Sequence, residues 1–165
     1  MGLLRLAIAL LVALVLSQFP AFSDQYVQRL GGQVDALTAI AADFDRSAAR
    51  AGLTRDEALA DLSGSAFRDA HARDMQRAFE RLDRARSDLV LLRAAAPLER
   101  IALPHRLRDV DTLQATWADY RPAVPVTPAG VLAAGLGFLI GWTAAGLLGR
   151  MIALPFRRRV PLGWR

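Results

Sequence analysis

The chain contains no cysteine and no lysine. The first absence excludes structural disulfides, thiolate metal sites and a cysteine nucleophile, and it is compatible with a domain outside the cytoplasm. The second leaves all 21 basic residues as Arg, which together with abundant Ala suits a GC-rich bacterial genome. Other absences narrow the chemistry further. No nucleophile elbow, Gly-rich phosphate loop or Asp-rich calcium loop occurs in the 165 residues. Asp43 and Asp45 straddle Phe44, so on a helix their carboxylates diverge and do not converge on one ion. No stretch carries the alternation of a β-strand. The expectation is a non-enzymatic all-α protein with no catalytic residue, cofactor or metal.

Acidic residues are missing from both ends of the chain. All 16 lie between Asp24 and Asp119, and the segment 24–121 also holds all but six of the 21 Arg, so that segment is nearly neutral. The net charge of +5 therefore comes from Arg5, Arg150, Arg157, Arg158, Arg159 and Arg165, each beside a hydrophobic segment. A nucleic-acid-binding face would distribute its charge differently. The expected partner is the lipid bilayer, and no nucleic acid.

Two uncharged stretches fit that reading. Leu6 to Ser23 gives 18 residues without charge, and Pro122 to Gly149 gives 28. A membrane span needs roughly 20 mostly apolar residues for ~30 Å of hydrocarbon. The second stretch meets this, while Ser17, Gln18 and Pro20 weaken the outer end of the first. The first also has signal-peptide features: Arg5, an apolar run, and Ala21-Phe22-Ser23 as a candidate cleavage site. Both readings of it, anchor or signal, put the middle of the chain outside. Arg5 at one end and LPFRRRVPLGWR at the other mark two cytoplasmic flanks, because positive charge resists translocation. The expected layout is a bacterial inner-membrane protein, N-in and C-in: an N-terminal span in 1–23, a periplasmic helical domain in 24–121, a second span in 122–154 and a basic tail in 155–165.

Within 24–121, Leu30, Val34, Leu37, Ala41, Phe44, Ala48 and Ala51 repeat at 4-3 spacing and predict a helix with a packing seam. Asp24 suits its start, Gly52 its end, and Gly31-Gly32 a kink or a close contact. Thr54-Arg-Asp-Glu57 is a capping box that opens a short helix to about Leu62, and Ser63-Gly64-Ser65 breaks it. A second long helix is predicted from 66 to 96, with a stripe of Phe67, His71, Met75, Ala78, Leu82, Ala85, Leu89 and Leu92 and exposed pairs Asp69–Arg73 and Glu80–Arg84. A last short helix over 109–120 presents Val110, Leu113 and Trp117. The expected fold is all-α: two transmembrane helices flanking an antiparallel helical hairpin with short accessory helices.

Ser17-Gln-Phe-Pro, Tyr26 to Gly32, Asp43-Phe-Asp, Ala51-Gly-Leu-Thr, Gly64-Ser-Ala-Phe and Tyr120-Arg-Pro-Ala-Val-Pro, in that order and spacing, resemble an uncharacterised family of small proteobacterial membrane proteins, domain of unknown function 2937. The resemblance covers nearly the whole chain. It implies a helical two-pass protein, favours retention of the first segment, and transfers no catalytic residue.

Ala129, Ala133, Gly137, Gly141, Ala145 and Gly149 recur every four residues along the second span. Such a face admits close approach of another helix. Two occupants fit: a membrane protein partner or second copy, and the chain's own first segment, which offers mainly bulky Leu, Ile and Val. His71 lies on the apolar stripe beside Asp74 and Met75, with no further ligand at suitable spacing; a core or partner-facing histidine is expected, and a pH-sensing role is open. Arg5, Arg150, Arg157, Arg158 and Arg159 are expected to fix topology and contact lipid headgroups. The functional expectation is an inner-membrane accessory or scaffold protein that associates laterally; the alternative is a periplasmic ligand or stress sensor acting through a partner.

Overall fold

The computed structural model describes residues 2–122 and 124–153, and among them every regular element is helical. Five α-helices follow one another: α1 Gly2–Arg50, α2 Arg55–Asp61, α3 Ala66–Ala94, α4 Val110–Asp119 and α5 Pro128–Ala153. Two short 3-10 turns, Glu99–Ala102 and Pro104–Arg106, lie between α3 and α4. The chain divides into two compact units. One is drawn from its two ends, up to Phe22 and from Arg121; the other is Ser23–Tyr120.

The first segment and the first seam belong to one helix of 49 residues, with Pro20 inside it. Asp24 therefore does not start a helix. It sits in mid-helix and pairs with Arg100. The end of α1 is as expected: Gly52 takes φ +72, with Leu53 N–H to Ala48 O at 2.9 Å and Gly52 N–H to Ala49 O at 3.0 Å. That bond pair is a Schellman closure. Thr54 and Glu57 cap α2 reciprocally, and Ser65 caps α3 after Gly64 at φ +91.

In the Ser23–Tyr120 unit, α1 buries Tyr26, Leu30, Val34, Leu37, Ala41 and Ala48. From α3 come Phe79, Leu82, Ala85, Leu89 and Leu92. Gly31 lies against Arg93, so closely that a Cβ would stand 2.8 Å from Nη2, whereas Gly32 faces open space. Arg86 donates to Thr38 Oγ1 at 3.1 Å, and the Phe44 and Phe79 rings meet edge to face at 5.4 Å. The expected α3 stripe is corrected at its start. Phe67 is 80% exposed and His71 is exposed, whereas Met75 and Ala78 are half-buried and burial is complete only from Phe79, because no neighbouring element covers the first turns of the stripe. Asp69 accepts the Gly64 N–H at 3.1 Å, while Glu80 and Arg84 face each other at 3.7 Å.

On α4, Val110 and Trp117 are 61% and 74% exposed, and Thr112 and Thr116 are the buried residues. Thr116 Oγ1 donates to Thr112 O at 2.7 Å, so the hydroxyl is satisfied inside the helix and its methyl can pack.

The other unit is apolar. Both α1 and α5 are long and apolar enough to cross a membrane, and only 17% of the residues in each apolar window are buried within the protein. Leu10, Leu11, Leu14, Leu132, Leu139 and Leu147 all point outward.

Candidate functional site

Three places in the molecule carry more chemistry than packing requires. The first is the four-residue stripe of α5. Ala133, Gly137 and Gly141 are buried, and Ala129, Ala145 and Gly149 are half-buried. A Cβ on Gly137 would lie 2.8 Å from Val12 O and 2.9 Å from Ala13 Cα. On Gly141 it would lie 2.8 Å from Ala9 Cα and 3.0 Å from Val12 Cβ. The two backbones approach through the missing side chains, as small-residue helix pairs do. The centre of the stripe is thus occupied by the chain's own first helix. The residues that meet it were not singled out in the sequence. Ala9, Ala13 and Ser17 repeat every four residues on α1, and Ala9 and Ser17 are buried. That spacing was the available signal, hidden among the bulkier Leu and Val.

Arg5 belongs to the same unit. Its Nε donates to Trp142 O at 2.8 Å, and its guanidinium lies over the Trp142 ring at 4.1 Å. Gly146 makes this possible, since a Cβ there would stand 2.8 Å from the guanidinium carbon. Beside it a groove of about 590 Å³ runs along Leu4, Ile8, Ala145, Leu148 and Gly149 and reaches Arg150. Arg157, Arg158 and Arg159 lie outside the described residues.

The second place is a charge network in the Ser23–Tyr120 unit, which the sequence did not disclose. Asp88, 4% exposed in its side chain, accepts from Arg108 Nε at 2.7 Å and from Arg106 Nη1 at 3.1 Å. Arg81 grips Asp109 with two bonds of 2.8 Å and reaches Asp111 at 2.8 Å. Asp109 also caps α4 through the Thr112 N–H, and its own N–H donates to Tyr26 Oη at 3.2 Å. Burial would raise the Asp109 carboxyl, but Arg81 and the Thr112 donors outweigh it and hold it at about 2. Burial pushes the Tyr26 hydroxyl up to about 12, aided by the nearby Asp109 and Asp88 charges and opposed by its hydrogen bond with Asp109. Buried Arg100 donates to Leu92 O at 2.8 Å, satisfying a carbonyl at the end of α3, and pairs with Asp24. Every charge here has a structural partner. The network ties the α3–α4 connection together and lines a small cavity of about 220 Å³.

The third place is a groove of about 510 Å³ among the end of α1, α2 and the start of α3. Ile40, Phe44, Ala48, Leu53, Leu62 and Met75 give it an apolar lining, with Asp43, Asp61 and His71 also on its wall. Ile40 is 47% exposed. His71 lies parallel to the Phe67 ring, 6.3 Å between centroids. Asp43 pairs with Arg46, and Asp45 binds Arg55 through bonds of 2.7 and 2.6 Å, so the two carboxylates serve different partners.

A family model described as protein of unknown function, DUF2937, matches residues 1–158. The chain belongs to that family. The match takes in the first apolar segment, the whole Ser23–Tyr120 unit and α5. Neither a curated protein nor a solved structure matches the chain at significant similarity.

Proposed function

We propose that this DUF2937 protein is a non-enzymatic accessory protein of a bacterial inner membrane, anchored by α1 and α5 and presenting the Ser23–Tyr120 unit on the periplasmic side. Spanning is supported by the outward-facing Leu residues and by the 17% burial of the apolar windows, which is low for core helices of a water-soluble protein. Close packing of Ala9 and Ala13 on Gly141 and Gly137 supports retention of the first segment as an anchor. The Arg flanks favour both ends on the cytoplasmic side, and Trp117 and Tyr120 suit the outer interface. An antiparallel α1–α3 hairpin is supported by the order of contacts: Asp24 with Arg100, Gly31 with Arg93, Thr38 with Arg86, Phe44 with Phe79.

The observation that carries the accessory reading is the open apolar groove around Ile40, Phe44 and Met75. An exposed apolar concavity flanked by Asp43 and Asp61 suits an amphipathic partner segment with basic residues at its edge. The small-residue face gives less support to lateral association, since its centre already has an occupant. A photoreactive residue at Ile40 or Met75 in native membranes should give a discrete adduct that Phe44→Asp abolishes, while the same probe at exposed Gln76 gives none. Equal labelling at all three positions would remove the groove from the reading.

A further inference from the structure

We infer that the groove between α1 and α5 at the Arg5 end is a site for one anionic phospholipid, with acyl chain along the apolar wall and phosphate against Arg5 and Arg150. The inference is independent of the outer groove and rests on the anchor reading of α1 and α5.

Three observations carry it. The first is a cation held in place. Arg5 is fixed by the Trp142 carbonyl and ring, yet only its Nε is used; among the described residues its terminal nitrogens have no partner. Arg residues near span ends ordinarily extend to the interface, whereas this one is drawn against the neighbouring helix and lines the groove. The second is space made by glycine. Gly146 leaves room for the guanidinium, and nothing stands within 4 Å of a Cβ at Gly149, so the cavity of about 590 Å³ opens beside the charge. The third is charge complementarity. Arg5 and Arg150 both line this groove, and neither end of the chain holds an acidic residue, up to Phe22 or from Arg121 onward. A phosphodiester satisfies both guanidinium groups, and Leu4, Ile8 and Leu148 accept a hydrocarbon tail. Basic pockets between spans on the cytoplasmic side recognise lipid phosphates in this way.

The full chain, stripped of lipid in a neutral detergent, should be titrated with phosphatidylglycerol and separately with phosphatidylcholine, and bound stoichiometry read by native mass spectrometry. One phosphatidylglycerol should bind at least tenfold more tightly than phosphatidylcholine. Arg5→Gln and Arg150→Gln should each weaken it about fivefold, in line with the worth of a cation near an anionic lipid surface. Gly149→Leu keeps both charges, places its Cβ where no neighbour stands within 4 Å, and should also weaken binding by filling the groove. Equal affinity for the two lipids overturns the proposal, as does full retention in Gly149→Leu. Displacement of the lipid by millimolar inorganic phosphate would show a free-anion site and overturn it too. Loss of binding on changing Arg157, Arg158 and Arg159 to Gln while Arg5→Gln is silent would assign recognition to the tail and not to this groove.

Discussion

Alanine at Gly137 or Gly141 is the sharpest probe of how the two apolar helices are held. At Gly137 the new Cβ would meet Val12 O at 2.8 Å and Ala13 Cα at 2.9 Å; at Gly141 it would meet Ala9 Cα at 2.8 Å. These neighbours are backbone atoms and cannot rotate aside. The helices must part until 2.8 Å opens to the 3.4 Å at which ordinary contact begins. A retreat of that size weakens dispersion along the whole seam, and overpacking of this kind costs about 1–3 kcal/mol. Gly135 supplies the control on the same helix, because nothing lies within 4 Å of its Cβ. Gly→Ala raises helix propensity equally at all three positions, by up to ~1 kcal/mol, so the difference between sites isolates the contact. The assay is unfolding of the full chain in mixed micelles of neutral detergent and dodecyl sulfate, followed by circular dichroism and tryptophan fluorescence. Gly137→Ala and Gly141→Ala should shift the midpoint toward lower dodecyl sulfate, and Gly135→Ala should leave it or raise it. Equal midpoints for the three variants would refute the packing argument.

The Asp109 carboxyl is held at about 2 in the folded chain against 3.8 unfolded, so it stabilises the fold above pH 4, and about 2 kcal/mol should be lost as pH falls from 5 through 2; denaturant midpoints at pH 5 and pH 2.5 should show a drop that Arg81→Gln reduces. Asp88→Asn removes the carboxylate that Arg106 and Arg108 share and should cost about 2–3 kcal/mol by chemical denaturation, as expected for charge-assisted bonds to a buried acceptor; a change below ~0.5 kcal/mol would mean the pair is solvated. Gly52→Ala meets no neighbour but must adopt φ +72, so strain alone should cost about 1 kcal/mol, visible as faster amide exchange at Leu53.

Periodicity disclosed most of the helices, and the reasons are local. Gly52, the Thr54–Glu57 box and Ser65 punctuate the chain within a few residues of the elements they bound. The joining of the first segment to the α1 seam was less visible, because Ser17, Gln18 and Pro20 read as a break. In the structure Pro20 is buried within an unbroken helix. The stripe of α3 failed at Phe67 and His71 because a 4-3 pattern does not say where the neighbouring element stops covering it; beyond Met75 the seam loses its partner and becomes groove wall. The Arg–Asp network was invisible for a different reason. Arg81 with Asp109, and Asp88 with Arg106 and Arg108, are separated by 18 to 28 positions, and nothing in composition assigns partners across a turn-rich connection. The α5 stripe was legible as a contact face, but its occupant was not, since Ala9 and Ala13 look like ordinary filler in an apolar run.

A small-residue face that is already occupied also decides how such a protein mixes with its surroundings. With Gly137 and Gly141 turned onto Ala9 and Ala13, the outward face is left with branched hydrocarbon from Leu10, Leu14, Leu132, Leu139 and Leu147. To a neighbouring lipid tail that surface is nearly indistinguishable from another lipid tail, so the paired helices behave as a good solute in hydrocarbon and have little reason to cluster. In the proposed membrane arrangement, crowding would then leave copies of the chain dispersed.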